Sequence, residues 1–398
     1  MVSLLTDMSS EMIYLIMPLF LVAIGASGLV IGLIEGASET TASLLKVVSG
    51  WYSDKRDKRK PFVIGGYGLS AAVRPALIWA TSPLQVLGIK IAERVGKGVR
   101  SAPRDALIAD STALGVRGRA YGFHKAMDSS GAVLGPLLTL IIILTVVGTE
   151  MHIFRLVFTV AVLPAVLGVI VILLFVREKE AAPRGARPQV FVKGLRRLGR
   201  SFWLLMAITM VFYIGEISYV FFILKADDVQ VSVFEGVVPS GVDPVLVQLG
   251  VLYIIYNIMF VIVSIPAGNL SDKLGRKPVI MIAFALFATT CVIMAAADSA
   301  LLLLVGFVLF GVHKGASEGV FKAFVTDLVP AGLRGTALGS FHTAVGLVML
   351  PGNLIAGLLW DWVGHWATFA YGATTSLTAF ALLAAFRPKP ASEARGDF

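Results

Sequence analysis

Long apolar runs are the feature that most constrains the fold of this chain. A helix needs about 20 mostly apolar residues to cross a bilayer, and runs of that length follow one another with only short polar turns between them. Hydrophobic residues fill 57% of the 398 positions and charged residues 15%, whereas about 25% are charged in soluble proteins. We therefore predict an all-α membrane protein with twelve transmembrane helices. Their approximate ranges are 4–25, 29–52, 61–81, 83–102, 118–147, 152–176, 201–225, 245–267, 278–297, 299–322, 334–359 and 364–386.

The basic residues predict how the helices are oriented. Nearly all of them lie in the loops that follow even-numbered helices, and segment 177–200 alone contains Lys or Arg at eight positions. Loops that follow odd-numbered helices, such as 81–83 and 148–151, contain none. Because basic loops stay in the cytoplasm, we expect a multi-pass protein of the cytoplasmic membrane with both termini cytoplasmic. The net charge of +9 then indicates contact with anionic lipid headgroups and does not indicate nucleic-acid binding.

Two short charged segments repeat at half-chain spacing. Gly50–Pro61 reads GWYSDKRDKRKP, and Gly268–Pro278 reads GNLSDKLGRKP, so that Asp54 corresponds to Asp272. Each segment lies between two apolar runs and is too short to cross a bilayer. Cytoplasmic loops are generally enriched in Lys and Arg, but this enrichment does not explain why both segments share Gly, Asp and Pro at corresponding positions.

These segments carry a resemblance to a known family. The second copy matches the loop signature G-x-L-x-D-[RK]-x-G-[RK]-[RK] of the major facilitator superfamily, and the first is similar to it, with Tyr52 and Asp57 in place of Leu and Gly. The resemblance implies two pseudo-symmetric six-helix bundles, 1–176 and 201–398, joined by a cytoplasmic linker at 177–200. It also implies a substrate site near the membrane midplane and alternating access by rocking of the two bundles. The implied conformational gate consists of Gly50, Asp54, Gly268, Asp272 and Arg276.

Two further motifs resemble members of the same family. Arg94–Ala102, RVGKGVRSA, is similar to a helix 4 motif, R-x-x-x-G-x-x-x-A, whose Arg is linked to proton transfer. Gly131–Pro136, GAVLGP, resembles the helix 5 motif of proton-driven antiporters but lacks its trailing glycines. The resemblance therefore implies proton-coupled export.

Ionisable residues inside the predicted helices indicate a water-filled path, because charges in a membrane are costly unless they face a cavity or a partner. Glu11, Arg94 and Asp128 lie about seven, eight and ten residues from the predicted cytoplasmic ends of their helices, hence within roughly one turn of the same level at 1.5 Å per residue. We expect Arg94 to pair with Asp128 or Glu11, and the other carboxylate to carry the coupled proton. A permanent ion pair that holds helices 1, 4 and 5 together is the structural alternative.

The remaining charged and polar candidates are predicted to line the substrate cavity. Lys97 and Lys314 are related by the 217-residue offset of the repeat and should lie at similar depth on opposite sides. The predicted set is Glu39, Lys90, Lys97, His124, Glu216, Asn257, His313, Lys314 and Glu318.

The sequence predicts a transporter and leaves its substrate open. The basic residues of helices 4 and 10 favour organic anions, taken up by symport or exchange, and the acidic residues of helices 1 and 2 favour cations or amphipathic drugs. A transport-inactive scaffold or sensor of the same fold is a further alternative. Because the sequence shows no catalytic constellation and no histidine cluster at metal-ligand spacing, we predict neither an enzyme, a cofactor nor a metal. The expected partners are a small-molecule substrate, protons and membrane lipids, and the expected state is a monomer.

Overall fold

The computed structural model describes residues 1–56, 59–112, 117–176, 195, 197–330 and 333–387, and these residues form an all-helical structure. Each predicted membrane helix overlaps an observed one, and the seventh is divided into two. The helices are α1 Val2–Ala23, α2 Gly28–Arg56, α3 Lys60–Val73, α4 Pro83–Asp110, α5 Arg117–Thr145, α6 Glu150–Phe175, α7 Arg200–Gly215, α8 Tyr219–Asp228, α9 Pro244–Leu274, α10 Arg276–Ala295, α11 Ala300–Asp327, α12 Arg334–Trp362 and α13 His365–Ala385, and a 3₁₀ turn, Arg74–Trp79, extends α3.

Ten segments of the described chain are long and apolar enough to cross a membrane. The two remaining long helices are α2 and α4, both of which carry several charged residues within their length. Because α2 and α4 pack against each other, their charges face protein rather than lipid. The structure therefore confirms the prediction of a twelve-span, all-α membrane protein.

Glycine contacts repeat between the two halves of the chain, α1–α6 and α7–α13. In the first half, a Cβ on Gly98 of α4 would lie 2.6 Å from Leu45 Cβ of α2. In the second, a Cβ on Gly315 of α11 would lie 2.7 Å from the Phe260 carbonyl of α9. Since 315 − 98 is 217, the offset that the sequence predicted corresponds to the same close helix approach in both halves.

The break between α7 and α8 lies in the middle of the bundle. Residues 216–218 leave the helical conformation, and the Ser218 hydroxyl accepts a hydrogen bond from the Val220 amide at 3.4 Å as the cap of α8. The Ser218 amide donates to Asn353 Oδ1 of α12 at 3.1 Å. Because a side chain from another helix satisfies this freed amide, the break persists in an apolar environment. It places Glu216 at mid-bundle level.

Helix ends lie at two faces of the bundle. We call the end where α1 begins and α2 ends the basic face, because Arg59, Lys60, Arg276 and Lys277 lie there. The other end, where α1 ends and α2 begins, is the opposite face.

The two halves are closed together at the opposite face. The Asp361 carboxylate at the end of α12 accepts hydrogen bonds from the Gly28 and Leu29 amides at the start of α2, at 2.8 and 2.9 Å. One turn further in, a Cβ on Gly32 would collide with the Asn353 carbonyl. The small residues let the backbones of α2 and α12 touch, as at other tight helix crossings in membranes.

Toward the basic face, charged side chains between the halves are open to water. Lys97 is exposed, and the side chains of Glu318 and Lys322 are 49% and 42% exposed. Lys46 on α2 and Lys322 on α11 place like charges on the two halves toward the basic face. The charged side chains between the halves are therefore water-accessible toward the basic face, whereas the opposite face is closed. We call this water-accessible space the passage.

Candidate substrate and proton site

A two-rung ladder of ion pairs joins α2 and α4. Glu35 and Glu39 lie four residues apart on α2, and Lys90 and Arg94 lie four apart on α4, so each pair projects from one helix face. Lys90 is paired with Glu35, both almost fully buried, and Arg94 Nη2 lies 2.9 Å from Glu39 Oε1. The Glu35 carboxylate also accepts a hydrogen bond from Ser218 Oγ at 3.2 Å. The ladder thus reaches the break between α7 and α8 in the other half.

The expected partner of Arg94 was wrong. The structure pairs Arg94 with Glu39 rather than with Asp128 or Glu11, and its guanidinium carbon lies 5.5 Å from the centre of the Tyr14 ring. Depth along the helices does not specify which helix faces which. Because α4 packs closely on α2, the carboxylate at the right level on α2 reaches Arg94 first.

Glu11 is connected to the second half of the chain. Tyr253 of α9 donates its hydroxyl hydrogen to Glu11 Oε2 at 2.7 Å. Beside it, the Tyr219 hydroxyl of α8 donates to the Tyr14 carbonyl at 3.4 Å. Among the described residues, no basic side chain lies within 4 Å of Glu11. Glu11 is therefore a carboxylate whose partner belongs to the other half.

Asp128 lies in a separate group nearer the basic face. Its carboxylate is 3.7 Å from His124 Nε2, a histidine whose Nδ1 lies 3.1 Å from Ser3 Oγ. Both side chains are partly buried, at 21% and 17% exposure. The structure therefore separates Asp128 from the Arg94 pair.

A second ion-pair cluster forms in the other half around Glu216. Lys314 Nζ of α11 donates to Glu216 Oε1 at 2.6 Å, and His313 Nε2 lies 3.5 Å from the same oxygen. His313 Nδ1 lies 2.8 Å from the Ala283 carbonyl of α10. This cluster fixes the broken segment between α7 and α8 against α11.

The predicted cavity residues differ in how far they reach the passage. Glu39, Lys97, Lys314 and Glu318 are partly or largely exposed. The structure does not bring Lys90, Glu216, Asn257 or His313 to the surface of the passage in this state, since each is at most 5% exposed. Asn257 donates to the Tyr253 carbonyl at 3.1 Å. Lys97, the predicted counterpart of Lys314, has no ion pair among the described residues.

The second charged loop forms a compact network at the basic face. Arg276 is paired with Asp272, its Nε lies 3.1 Å from Asp327 Oδ2, and its Nη1 donates to Ser271 Oγ at 2.6 Å. A cation at the first residue of α10 is thus neutralised by carboxylates at the ends of α9 and α11. Gly268 lies one turn before Asp272 and has open space beside it.

The structure describes only part of the first charged loop. A Cβ on Gly50 of α2 would lie 3.2 Å from the Ala102 Cβ of α4. The side chain of Asp54 lies outside the described part of the structure, so its predicted role stays a prediction.

Sequence reasoning missed several contributors to the site. Arg74 and Glu93 form a buried ion pair at 2.7 Å, and the Arg74 guanidinium also donates to the hydroxyls of Ser9 and Ser10. A basic residue at the end of an apolar run was the only signal for Arg74. The tyrosines of α1, α8 and α9 occur inside apolar runs, where their hydroxyls need partners when they are buried.

Comparisons with known proteins agree on one family. The family model described as Major Facilitator Superfamily matches residues 1–248 and 241–397. Over 384 residues the chain is 36% identical to an uncharacterised MFS-type transporter of Methanocaldococcus jannaschii. The alignment covers 96% of this chain and 92% of the relative. It is 27% identical over 371 residues to an uncharacterised protein of Mycobacterium tuberculosis, covering 90% and 85% of the two chains. The crystal structure of the nucleoside transporter NupG superposes with a TM-score of 0.76 at 15% identity, covering 98% of each chain.

Proposed function

The chain belongs to the major facilitator superfamily, a family of multi-pass membrane transporters rather than enzymes, and we propose that it exports a small organic molecule in exchange for protons. In this proposal residues 1–176 and 201–398 rock against each other about a central site, and segment 177–200 connects them. The basic face lies in the cytoplasm of a cytoplasmic-membrane protein, as the distribution of Lys and Arg favours. The protein works as a monomer surrounded by lipid.

One observation carries the alternating-access proposal: the passage is open at one face and closed at the other. Charged side chains between the halves are water-accessible toward the basic face. At the opposite face, Asp361 of the second half caps the first helix turn of α2 in the first half. Because these contacts join different halves, they must break when the passage opens to the opposite face. In this proposal the present state faces the cytoplasm.

Glu11 is the proposed proton carrier. Its hydrogen bond from Tyr253 crosses between the halves, and a hydrogen bond to an ionised carboxylate is about twice as strong as a neutral one. Because the bond favours the ionised form of Glu11, the present state favours release of the proton from Glu11 toward the basic face, as inward movement of protons requires. Arg94 contributes indirectly, since its pair with Glu39 leaves Glu11 without a competing cation.

The gate of the proposal lies at the basic face. There Gly50 and Asp54 in the first half, and Gly268, Asp272 and Arg276 in the second, stabilise the state in which this face closes. The network around Arg276 supports the role in the second half.

Support for export comes from α5. A Cβ on Gly131 would lie 2.5 Å from the Leu4 carbonyl of α1, and one on Gly135 would lie 2.9 Å from Glu11 Cβ. The G-x-x-x-G-P motif, which resembles that of proton-driven antiporters, thus packs directly against the helix of the proposed proton carrier. Movement of α5 is thereby connected to the environment of Glu11.

Flux measurements in liposomes test the proposal. A ligand is first identified by its stabilisation of the purified protein against heat, because a ligand that binds only the folded state raises stability. Glu11→Gln, Asp128→Asn and Arg94→Ala are then compared for proton-driven accumulation and for substrate exchange without a gradient. We expect Glu11→Gln to keep exchange and lose accumulation. If every variant that folds keeps accumulation, proton coupling through this site is refuted.

Transport of organic anions by symport or exchange is the second candidate. It is favoured by Lys97, which is exposed to the passage and has no ion pair among the described residues. This candidate predicts that Lys97→Gln abolishes uptake of an anionic ligand and that uptake runs inward with protons. The same liposomes, loaded from either side, distinguish it from export, and absence of any flux would favour the scaffold or sensor.

A further inference from the structure

The two ion pairs at mid-bundle level expose charges of opposite sign. In the first half, the Glu39 side chain is 34% exposed while its partner Arg94 is 5% exposed. In the second half the polarity is reversed: Lys314 is 27% exposed and its partner Glu216 is 4% exposed. The first half therefore offers a carboxylate to the passage, and the second half offers an ammonium group.

Both exposed groups belong to the same space. At 1.5 Å per residue, Glu39 lies about 16 Å along α2 and Lys314 about 21 Å along α11 from the opposite face. Glu35, one turn before Glu39 on α2, accepts a hydrogen bond from the Ser218 hydroxyl, two residues after the Glu216 that binds Lys314. The two groups are thus close in level, near the middle of the bundle, where the passage ends.

Each exposed group keeps hydrogen-bonding capacity for a ligand. The Glu39 carboxylate has about four acceptor sites and the Lys314 ammonium has three donors. Arg94 occupies part of the carboxylate, and Glu216 and the Phe310 ring, 5.7 Å from Lys314 Nζ, occupy part of the ammonium. The buried partner is fixed on the protein side, Arg94 by the Tyr14 ring and Glu216 by His313. Part of each exposed side chain therefore remains accessible to water.

We infer that the transported molecule is a small zwitterion whose cationic group binds Glu39 and whose anionic group binds Lys314. This inference rests on the proposed transport function and specifies its substrate class. A zwitterion carries no net charge into the low-dielectric centre. An ion of one sign adds a net charge there and leaves the exposed side of the other ion pair without a ligand, which is costly once water leaves. Because its two ends bind different halves, the zwitterion also draws the halves together at the basic face.

The first experiment compares ligands that differ only in charge. A panel of α-amino acids, dipeptides and betaines is tested by thermal stabilisation of the purified full chain, each amino acid or dipeptide beside its cationic amide and its anionic N-acetyl derivative. We expect at least one zwitterion to stabilise the protein and its two singly charged derivatives to bind at least tenfold more weakly. Stabilisation mainly by ions of one sign, or by no zwitterion of the panel, overturns the inference.

The second experiment assigns the two ends of the ligand. Glu39→Gln should weaken binding of the zwitterion at least tenfold but leave binding of the anionic derivative unchanged. Lys314→Gln should also weaken binding of the zwitterion at least tenfold but leave binding of the cationic derivative unchanged. Where Glu39→Gln fails to fold because Arg94 is left unpaired, the neutral pair Glu39→Gln/Arg94→Gln replaces it. Lys322→Gln, which removes an exposed cation nearer the basic face, is the matched control and should change neither affinity. Equal effects of the three single variants on all ligands refute the assignment.

Failure of this inference and failure of the transport function give different results. Counterflow of a singly charged ligand in liposomes, without any zwitterion effect, refutes the zwitterion and retains the transporter. Charge-selective zwitterion binding without counterflow retains the site and refutes transport.

Discussion

Replacing Asp361 should open the opposite face. Its carboxylate accepts the Gly28 and Leu29 amides, while the Ser27 hydroxyl accepts the Val30 amide at 3.4 Å. The first amides of a helix have no partner within their own helix, so α2 depends on a residue of the other half for its cap. Asp361→Ala removes this cap only in the closed state, because the open state has already lost it.

The size of the effect follows from the geometry. Loss of a helix cap costs about 1 kcal/mol, within roughly 0.5–2, and loss of a negative charge at a helix N-terminus costs about 0.3–1 kcal/mol. Since Asp361 is exposed, we expect a total of about 1–2 kcal/mol, which shifts the ratio of closed to open protein by a factor of about 5–30. Asp361→Asn keeps a capping side chain and should lose only the charge, a shift of about two- to fivefold.

Cysteine labelling measures this shift. Leu15 of α1 is 1% exposed and lies beside Gly250 of α9 in the other half, so a cysteine there reacts with an impermeant maleimide only when the halves separate toward the opposite face. The native Cys291 is buried and is replaced by Ser. We expect Leu15→Cys to react about 5–30 times faster with Asp361→Ala. The matched control is Asp298→Ala, an exposed aspartate at the same face that makes no hydrogen bond or ion pair with the first half among the described residues. An unchanged rate for Asp361→Ala, or an equal rise for Asp298→Ala, would refute the reasoning.

Three further predictions concern packing and charge. Gly32→Ala places a methyl group against the Asn353 carbonyl, so the opposite face should no longer close and labelling at that face should rise as in the cap variant. Lys90→Met leaves Glu35 buried without its cation, which costs about 3–5 kcal/mol; the melting temperature should fall, and the double variant Glu35→Gln/Lys90→Met should recover most of it. Arg276→Ala should change the unfolding free energy by less than about 1 kcal/mol, because the carboxylates with which Arg276 pairs are largely exposed. In liposomes it should slow transport without changing ligand affinity. A large loss of affinity would contradict its role as a gate.

The architecture was predictable because it depends on patterns local to the sequence. The apolar runs predicted the twelve spans, and the 217-residue offset predicted that Gly98 corresponds to Gly315. Run length and repeat spacing are both visible in the sequence itself. The break between α7 and α8 was not predicted. Its segment, Gly215–Ser218, is stabilised by Asn353 from α12, a partner 135 residues away that no local pattern specifies.

The sequence predicted how deep the site residues lie along their helices. It did not predict which neighbouring helix each side chain faces. The level of Glu11 and Arg94 followed from the rise per residue, yet the partner of Arg94 proved to be Glu39. Two i, i+4 pairs, acidic on α2 and basic on α4, were visible in the sequence, and joining them predicts the observed ladder. Asp361 gave no such signal, because its role depends on the approach of α12 to the start of α2.

The central claim is that the passage opens to one face at a time as the halves move. Pulsed electron resonance on a Cys291→Ser background measures it with two spin-label pairs at exposed positions: Leu84 and Leu301 at the opposite face, Phe123 and Leu270 at the basic face. Introducing Asp361→Ala should lengthen the distance between the labels at Leu84 and Leu301. It should shorten the distance between the labels at Phe123 and Leu270. Distances that both lengthen, or that do not respond together, would contradict alternating access in this protein.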